Sequence, residues 1–156
     1  MYPLVLSLHS ILRWVVLILG LIAVIRALIG WLGSSQWETI DDRLGLAFTT
    51  SMDLQLLLGL LLYFVLSPLT RGAFQNFGAA MSNANLRFWA VEHFVVMIVA
   101  VILAHIGRSQ SRKAEEPTAK HKRAAIFFGL ALIAVLVAVP WPFLASGGGR
   151  PWIRIG

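Results

Sequence analysis

The sequence predicts an all-α protein, an integral membrane four-helix bundle with both termini on the outer, periplasmic side. Three observations carry that expectation. Only 13% of the residues are charged and 58% are hydrophobic, and the mean hydropathy is +0.80. A soluble domain carries about 25% charged residues, so too few polar groups are present to solvate a globular surface. The apolar residues fall into four blocks, each near the roughly 20 residues a helix needs to cross the hydrocarbon core. The basic residues are divided unequally between the connections, which sets orientation.

The first block runs from about residue 4 to 32, with an amphipathic opening turn from His9 to Arg13. Met1-Tyr2-Pro3 lacks the basic segment of a signal peptide, so this block is expected to remain as a spanning helix. The second block runs from about 44 to 66 and stops before Ser67-Pro68. The third runs from about 86 to 106, and the fourth from about 124 to 143, where Pro140 and Pro142 break its end. Residues 144–156, with Ser146-Gly147-Gly148-Gly149, are expected to form a flexible exit from a single membrane domain covering 1–156. Strands are disfavoured, because membrane barrels use alternating segments of about ten residues. These blocks are twice that length and almost wholly apolar.

Four spans put both ends on one side. Six of the thirteen Lys/Arg residues lie in the connection 107–123, as Arg108, Arg112, Lys113, Lys120, Lys122 and Arg123, and Arg43 adds a seventh on that side. The other side has Arg71, Arg87, Arg150 and Arg154. Seven against four predicts a cytoplasmic connection 107–123 in a bacterial inner membrane. Trp14, Trp89 and Trp141 fall near the outer ends of the blocks, and Trp31 and Trp37 near the inner end, as interfacial indoles should. No aromatic stacking surface accompanies the net charge of +6. The basic segment therefore points to anionic lipid headgroups rather than nucleic acid. The spacings Ala23/Ala27, Ala100/Ala104 and Ala134/Ala138 allow close helix packing.

Ionisable groups inside a membrane are costly and mark functional candidates. Block two carries Asp53 and Gln55 near its midpoint. Two residues apart, they point about 200° away from each other and cannot serve one site directly. Block three carries Arg87, Glu92 and His93 toward the outside and His105 toward the inside, and Trp89, His93 and Met97 share one face. Block one carries His9 and Arg13. His121, in the basic connection, is expected to be solvated.

Three readings of the outer cluster stay open. One is a non-covalent haem b with His9 and His93 as axial ligands to the iron and Arg13 and Arg87 on the propionates. At about 1.5 Å per residue, His93 lies about 6 Å and His9 about 13 Å above their helix midpoints, a mismatch of about 7 Å. His105 is a lesser ligand candidate with no clear intramembrane partner. The second reading is a quinone headgroup accepting from His or Arg, with Glu92, Asp53 and Gln55 as quinone-binding or proton-linked candidates. The third is purely structural, with Glu92 paired to Arg13 or Arg87. The chain has no cysteine, which excludes disulfides, Cys-ligated clusters, covalent haem and thiol catalysis. It also has no nucleophile triad, phosphate loop or HExxH motif, so a self-contained enzyme is not expected.

Leu8-His9-Ser10-Ile11-Leu12-Arg13-Trp14, Gln55 with Leu58-Gly59 and Tyr63-Phe64, and Arg87-Phe88-Trp89-Ala90-Val91-Glu92-His93 stand in order along the chain. His105-Ile106-Gly107-Arg108-Ser109, Lys120-His121-Lys122 and Pro140-Trp141-Pro142-Phe143 follow. Together, from about His9 to Phe143, they resemble small four-helix bacterial membrane proteins often labelled cytochrome b-like. The resemblance implies a membrane electron-transport context, as a subunit contacting lipid and either other membrane subunits or further copies of itself. The competing class is a non-catalytic structural or assembly subunit of a larger membrane complex. A transporter is a third class, resting on Asp53.

Overall fold

The computed structural model describes residues 1–144 and 150–154. Among these the chain is all helical, with no strand. Helix α1 spans Tyr2–Leu32, with a proline in its first turn, where a missing N–H costs nothing. It ends at Gly33, and Ser34 takes a left-handed conformation with φ 50°. Helix α2 covers Thr39–Leu61 and opens on a reciprocal cap between Glu38 and Asp41. The Glu38 N–H donates to Asp41 at 2.8 Å, and Arg26 of α1 donates to the same carboxylate at 2.8 Å and to Glu38 at 3.1 Å. The α1–α2 turn is thus held by charge-assisted bonds to a buried Asp41.

Helix α2 runs on into a π-helical turn, Leu62–Leu66. Three short helices follow, α3 (Pro68–Gln75), α4 (Phe77–Ser82) and α5 (Ala84–Arg87). Ser67, Asn76 and Asn83 cap them in turn, each side chain accepting a backbone N–H of the first helical turn. A second π-helical turn, Phe88–Glu92, leads into α6 (His93–Lys113). Helix α7 spans Pro117–Ala138.

Four helical stretches are long and apolar enough to cross a membrane: Tyr2–Leu32, Thr39–Leu66, Ala84–Lys113 and Pro117–Ala138. This makes the chain a multi-pass membrane protein in character. Its outward surface agrees: Ile18, Ile29, Leu57, Ile133 and Val137 are each more than half exposed, a face that suits lipid and not water. Neighbouring helices pack in the ring α1–α2–α6–α7, so α1 and α6 face each other across the diagonal. Ala23, Ala27, Ala100, Ala104 and Ala138 are buried between helices, with Ala134 packed beside them. Small side chains let the backbones approach where apolar burial supplies no drive in lipid.

The helix ends differ from the sequence expectation. The connection 107–123 is nearly all helix, because α6 continues to Lys113 and α7 begins at Pro117. Hydropathy locates where a helix leaves the apolar layer and not where it stops. The polar run after Ile106 is made of adequate helix formers, and Pro117 sets the next start. At the other end α7 stops at Ala138 and not at Phe143, since Pro140 offers no N–H to the helical ladder.

Candidate functional site

The two halves of the bundle are filled differently. In the half near the α6–α7 turn, Phe48 and Phe128 meet edge to face at 5.5 Å on the bundle axis. Room for them comes from Gly20, Gly45 and Gly107, where a Cβ would press on one ring or the other. In the half that holds the N-terminus a cavity of about 160 Å³ remains. Val16, Met52, Val101 and Val135 line its deep end.

Each helix presents one face to this cavity. Helix α1 contributes His9, Arg13 and Val16; α2 and the π-helical turn after it contribute Met52, Gln55, Gly59 and Tyr63; the α6 side contributes Trp89, His93 and Met97. These positions recur every three or four residues, the spacing of one helix face. Gly59 lies where a Cβ would come within 3.3 Å of the His9 ring, so a glycine leaves that imidazole its place. Both π-helical turns touch the site. The Tyr63 hydroxyl donates to Ala90 O in the second turn at 2.5 Å, and Thr70 donates to Tyr63 O in the first at 2.7 Å. Side chains thus meet carbonyls of two turns whose widened helical pattern is itself often found at functional sites.

His9 and His93 reach the same cavity from diagonal helices. His93 Nδ1 is 2.8 Å from Ala138 O and donates to it, leaving Nε2 for the cavity. Gln55 donates to His9 O at 3.0 Å, tying α2 to α1. Four buried polar atoms around the cavity have no partner among the described residues: His9 Nδ1, Arg13 Nε, Gln55 Oε1 and Trp89 Nε1. Buried polar groups are otherwise nearly always satisfied.

The C-terminal segment also enters the site. Residues 150–154 fold back onto α1, where Trp152 O accepts from Arg13 and, at 2.9 Å, from Trp14 Nε1. The Arg154 N–H donates to Ser10 Oγ at 3.0 Å. Arg150 lies over the Trp89 ring at 5.1 Å, a cation–π contact. Residues 150–154 of the expected exit thus contact the bundle. The exit's glycine run falls outside the described residues. Arg13, Arg150 and Arg154 all line the cavity, and no carboxylate does so among the described residues. Burial and the neighbouring Arg154 hold the Arg150 guanidinium below its usual range, with Tyr2 acting in the opposite sense.

Other expected residues lie elsewhere. Arg87 donates to Glu92 at 2.7 Å and to Met81 O at 3.2 Å, and both side chains are nearly half exposed outside the cavity. Neither serves the cavity: their five-residue separation across the π-helical turn lets them pair with each other. Asp53 points away from Gln55 and pairs with His105, Oδ1 to Nε2, at 2.7 Å. His105 thus has the intramembrane partner that its position in sequence did not suggest. His121 is fully buried and not solvated. It packs on Gly30 and on Trp37, with ring centres 4.9 Å apart in the second case. Arg150 and Arg154 were counted in sequence only as charges of the outer side. No local pattern signals that a segment beyond the last helix returns to the bundle.

No known protein family, curated protein or solved structure matches the chain. The resemblance to cytochrome b-like proteins thus rests on the residues quoted for it.

Proposed function

We propose that the chain is a small inner-membrane subunit of an electron-transport assembly whose outer-half cavity receives the headgroup of a membrane quinone. The observation that carries this reading is the set of four unsatisfied polar atoms around an otherwise apolar space. Left unmet, each costs about 1–3 kcal/mol, so the site favours an occupant with hydrogen-bonding groups. Arg13 Nε and Trp89 Nε1 donate, Gln55 Oε1 accepts, and His9 Nδ1 does either according to its tautomer. A quinone ring offers acceptors and its quinol offers donors, so one site serves both forms. The size agrees: 160 Å³ is close to the roughly 150 Å³ of an apolar cavity that takes one benzene ring. Leu6, Leu56, Leu60 and Met97 supply apolar walls for the first part of a tail. In this reading the residues bind and orient the ring through those hydrogen bonds.

Haem b is the second reading, favoured by the two imidazoles on diagonal helices. The hydrogen bond from His93 to Ala138 O is of the kind that orients an iron ligand. The Arg13, Arg150 and Arg154 guanidiniums suit propionates better than Arg87, which Glu92 occupies. The donors fit, but the space does not. A four-pyrrole macrocycle is larger than the one-ring volume of the cavity, which favours the quinone.

The proposed orientation puts the α6–α7 turn in the cytoplasm and the cavity in the periplasmic half, following the basic residues. Titrating purified protein in nanodiscs with a short-chain quinone, read by tryptophan fluorescence, tests the function. Saturable binding that weakens about tenfold in Gln55→Leu, the loss of one or two well-placed hydrogen bonds, supports it. No saturable quenching in wild type overturns it and returns the structural-subunit reading.

A further inference from the structure

The Asp53–His105 pair lies outside the cavity and needs a separate account. The two side chains are 46% and 49% exposed on the outer surface of the bundle, where α2 meets α6. Around them the surface is mostly apolar: Leu46, Leu54 and Leu57 on α2, and Ile102 and Ile106 on α6, are all exposed, with the exposed Thr50 and Ser109 one turn away. Asp53 stands about nine residues into the apolar block that begins near residue 44, at about 1.5 Å per residue some 13 Å from its start, and His105 stands near the inner end of the apolar block of α6, three residues before Arg108. In a bilayer the pair thus lies on the inner side of the apolar layer, where polar groups are expensive and seek partners. Lipid tails offer none.

The geometry points to a second copy of this chain as the occupant of the α2–α6 face. In its net-neutral state the pair holds one proton between Nε2 and Oδ1 and another on Nδ1. That leaves one spare donor, Nδ1–H, and one spare acceptor, Oδ2, both directed away from the bond they share. Two copies with the same topology are related by a twofold axis along the membrane normal, so each residue meets its equivalent at the same depth. The donor of each pair then faces the acceptor of the other. Four side chains close a ring of hydrogen bonds with no net charge, and the flanking leucines and isoleucines pack around it. The face is thus self-complementary in charge and in depth.

The test counts subunits by single-molecule photobleaching of labelled full-length protein in lipid vesicles, over a range of protein-to-lipid ratios. Wild type is expected to show two-step bleaching at low density. The double variant Asp53→Leu, His105→Leu is expected to dissociate at least about tenfold more readily, since interhelical polar bonds in membranes contribute about 0.6–1.7 kcal/mol each. Because the chain has no cysteine, Leu54→Cys and Ile102→Cys place single thiols on the proposed face, and Ile133→Cys places one on α7. Disulfide-linked dimers from the first two, and not from the third, support the inference. Monomeric wild type at every density overturns it, as does a double-leucine variant that dimerises like wild type or cross-linking through Ile133→Cys alone.

Discussion

His121 shows how one side chain fixes a whole helix contact. Its ring lies so close to α1 that a Cβ on Gly30 would sit 2.3 Å from it. Glycine is therefore required there by space, in a helix where alanine would otherwise be favoured by about 1 kcal/mol. We expect Gly30→Ala to lower stability by about 1–3 kcal/mol, the usual cost of overfilling a packed interior. Thermal unfolding in detergent measures it, and an unchanged or raised midpoint would contradict the packing described. The same residue marks a limit of sequence reading. His121 stands between two lysines, which suggests water, yet helical periodicity turns it inward while Lys122 remains exposed. His9, Arg13, Gln55 and His93 were legible as exceptions to an apolar composition, and they line one cavity. Asp53 was equally conspicuous, but its partner was not, because pairing between α2 and α6 depends on tertiary register.

At the scale of elements, the spans were legible and their ends were not. Apolar length marks a membrane crossing directly. The ends are set by features that hydropathy ignores, such as the start at Pro117 and the cap shared by Glu38 and Asp41. The π-helical turns before Ser67 and before His93 were also invisible in sequence, and side chains reach carbonyls of both. Tyr63→Phe tests their coupling. It removes the donor to Ala90 O and leaves a carbonyl of the second turn without that bond, at a cost of about 1–3 kcal/mol. We expect a lower unfolding midpoint and weaker ligand binding together, because Tyr63 and Trp89 line the same cavity. A variant that unfolds earlier yet binds equally well would separate the turns from the site.

For the whole molecule, composition points to the solvent, and charge distribution carries the proposed orientation. The α6–α7 turn, Ala114 to Glu116, stands beyond the apolar spans. With no native cysteine, Glu115→Cys gives a single reporter. A membrane-impermeant thiol reagent is expected to label it in inside-out vesicles and not in intact cells whose outer membrane has been opened. Labelling in the opened cells would reverse the topology. The cavity itself was beyond the sequence, since an unfilled volume depends on which side chains fail to meet across a diagonal. Its apolar walls, its four unsatisfied polar atoms and its size all favour a single hydrogen-bonding ring. Solvent extraction of protein purified in mild detergent, followed by chromatography with ultraviolet detection, tests that claim most directly. The account predicts about one quinone per chain; an extract with no quinone, or with equimolar haem in its place, would contradict it.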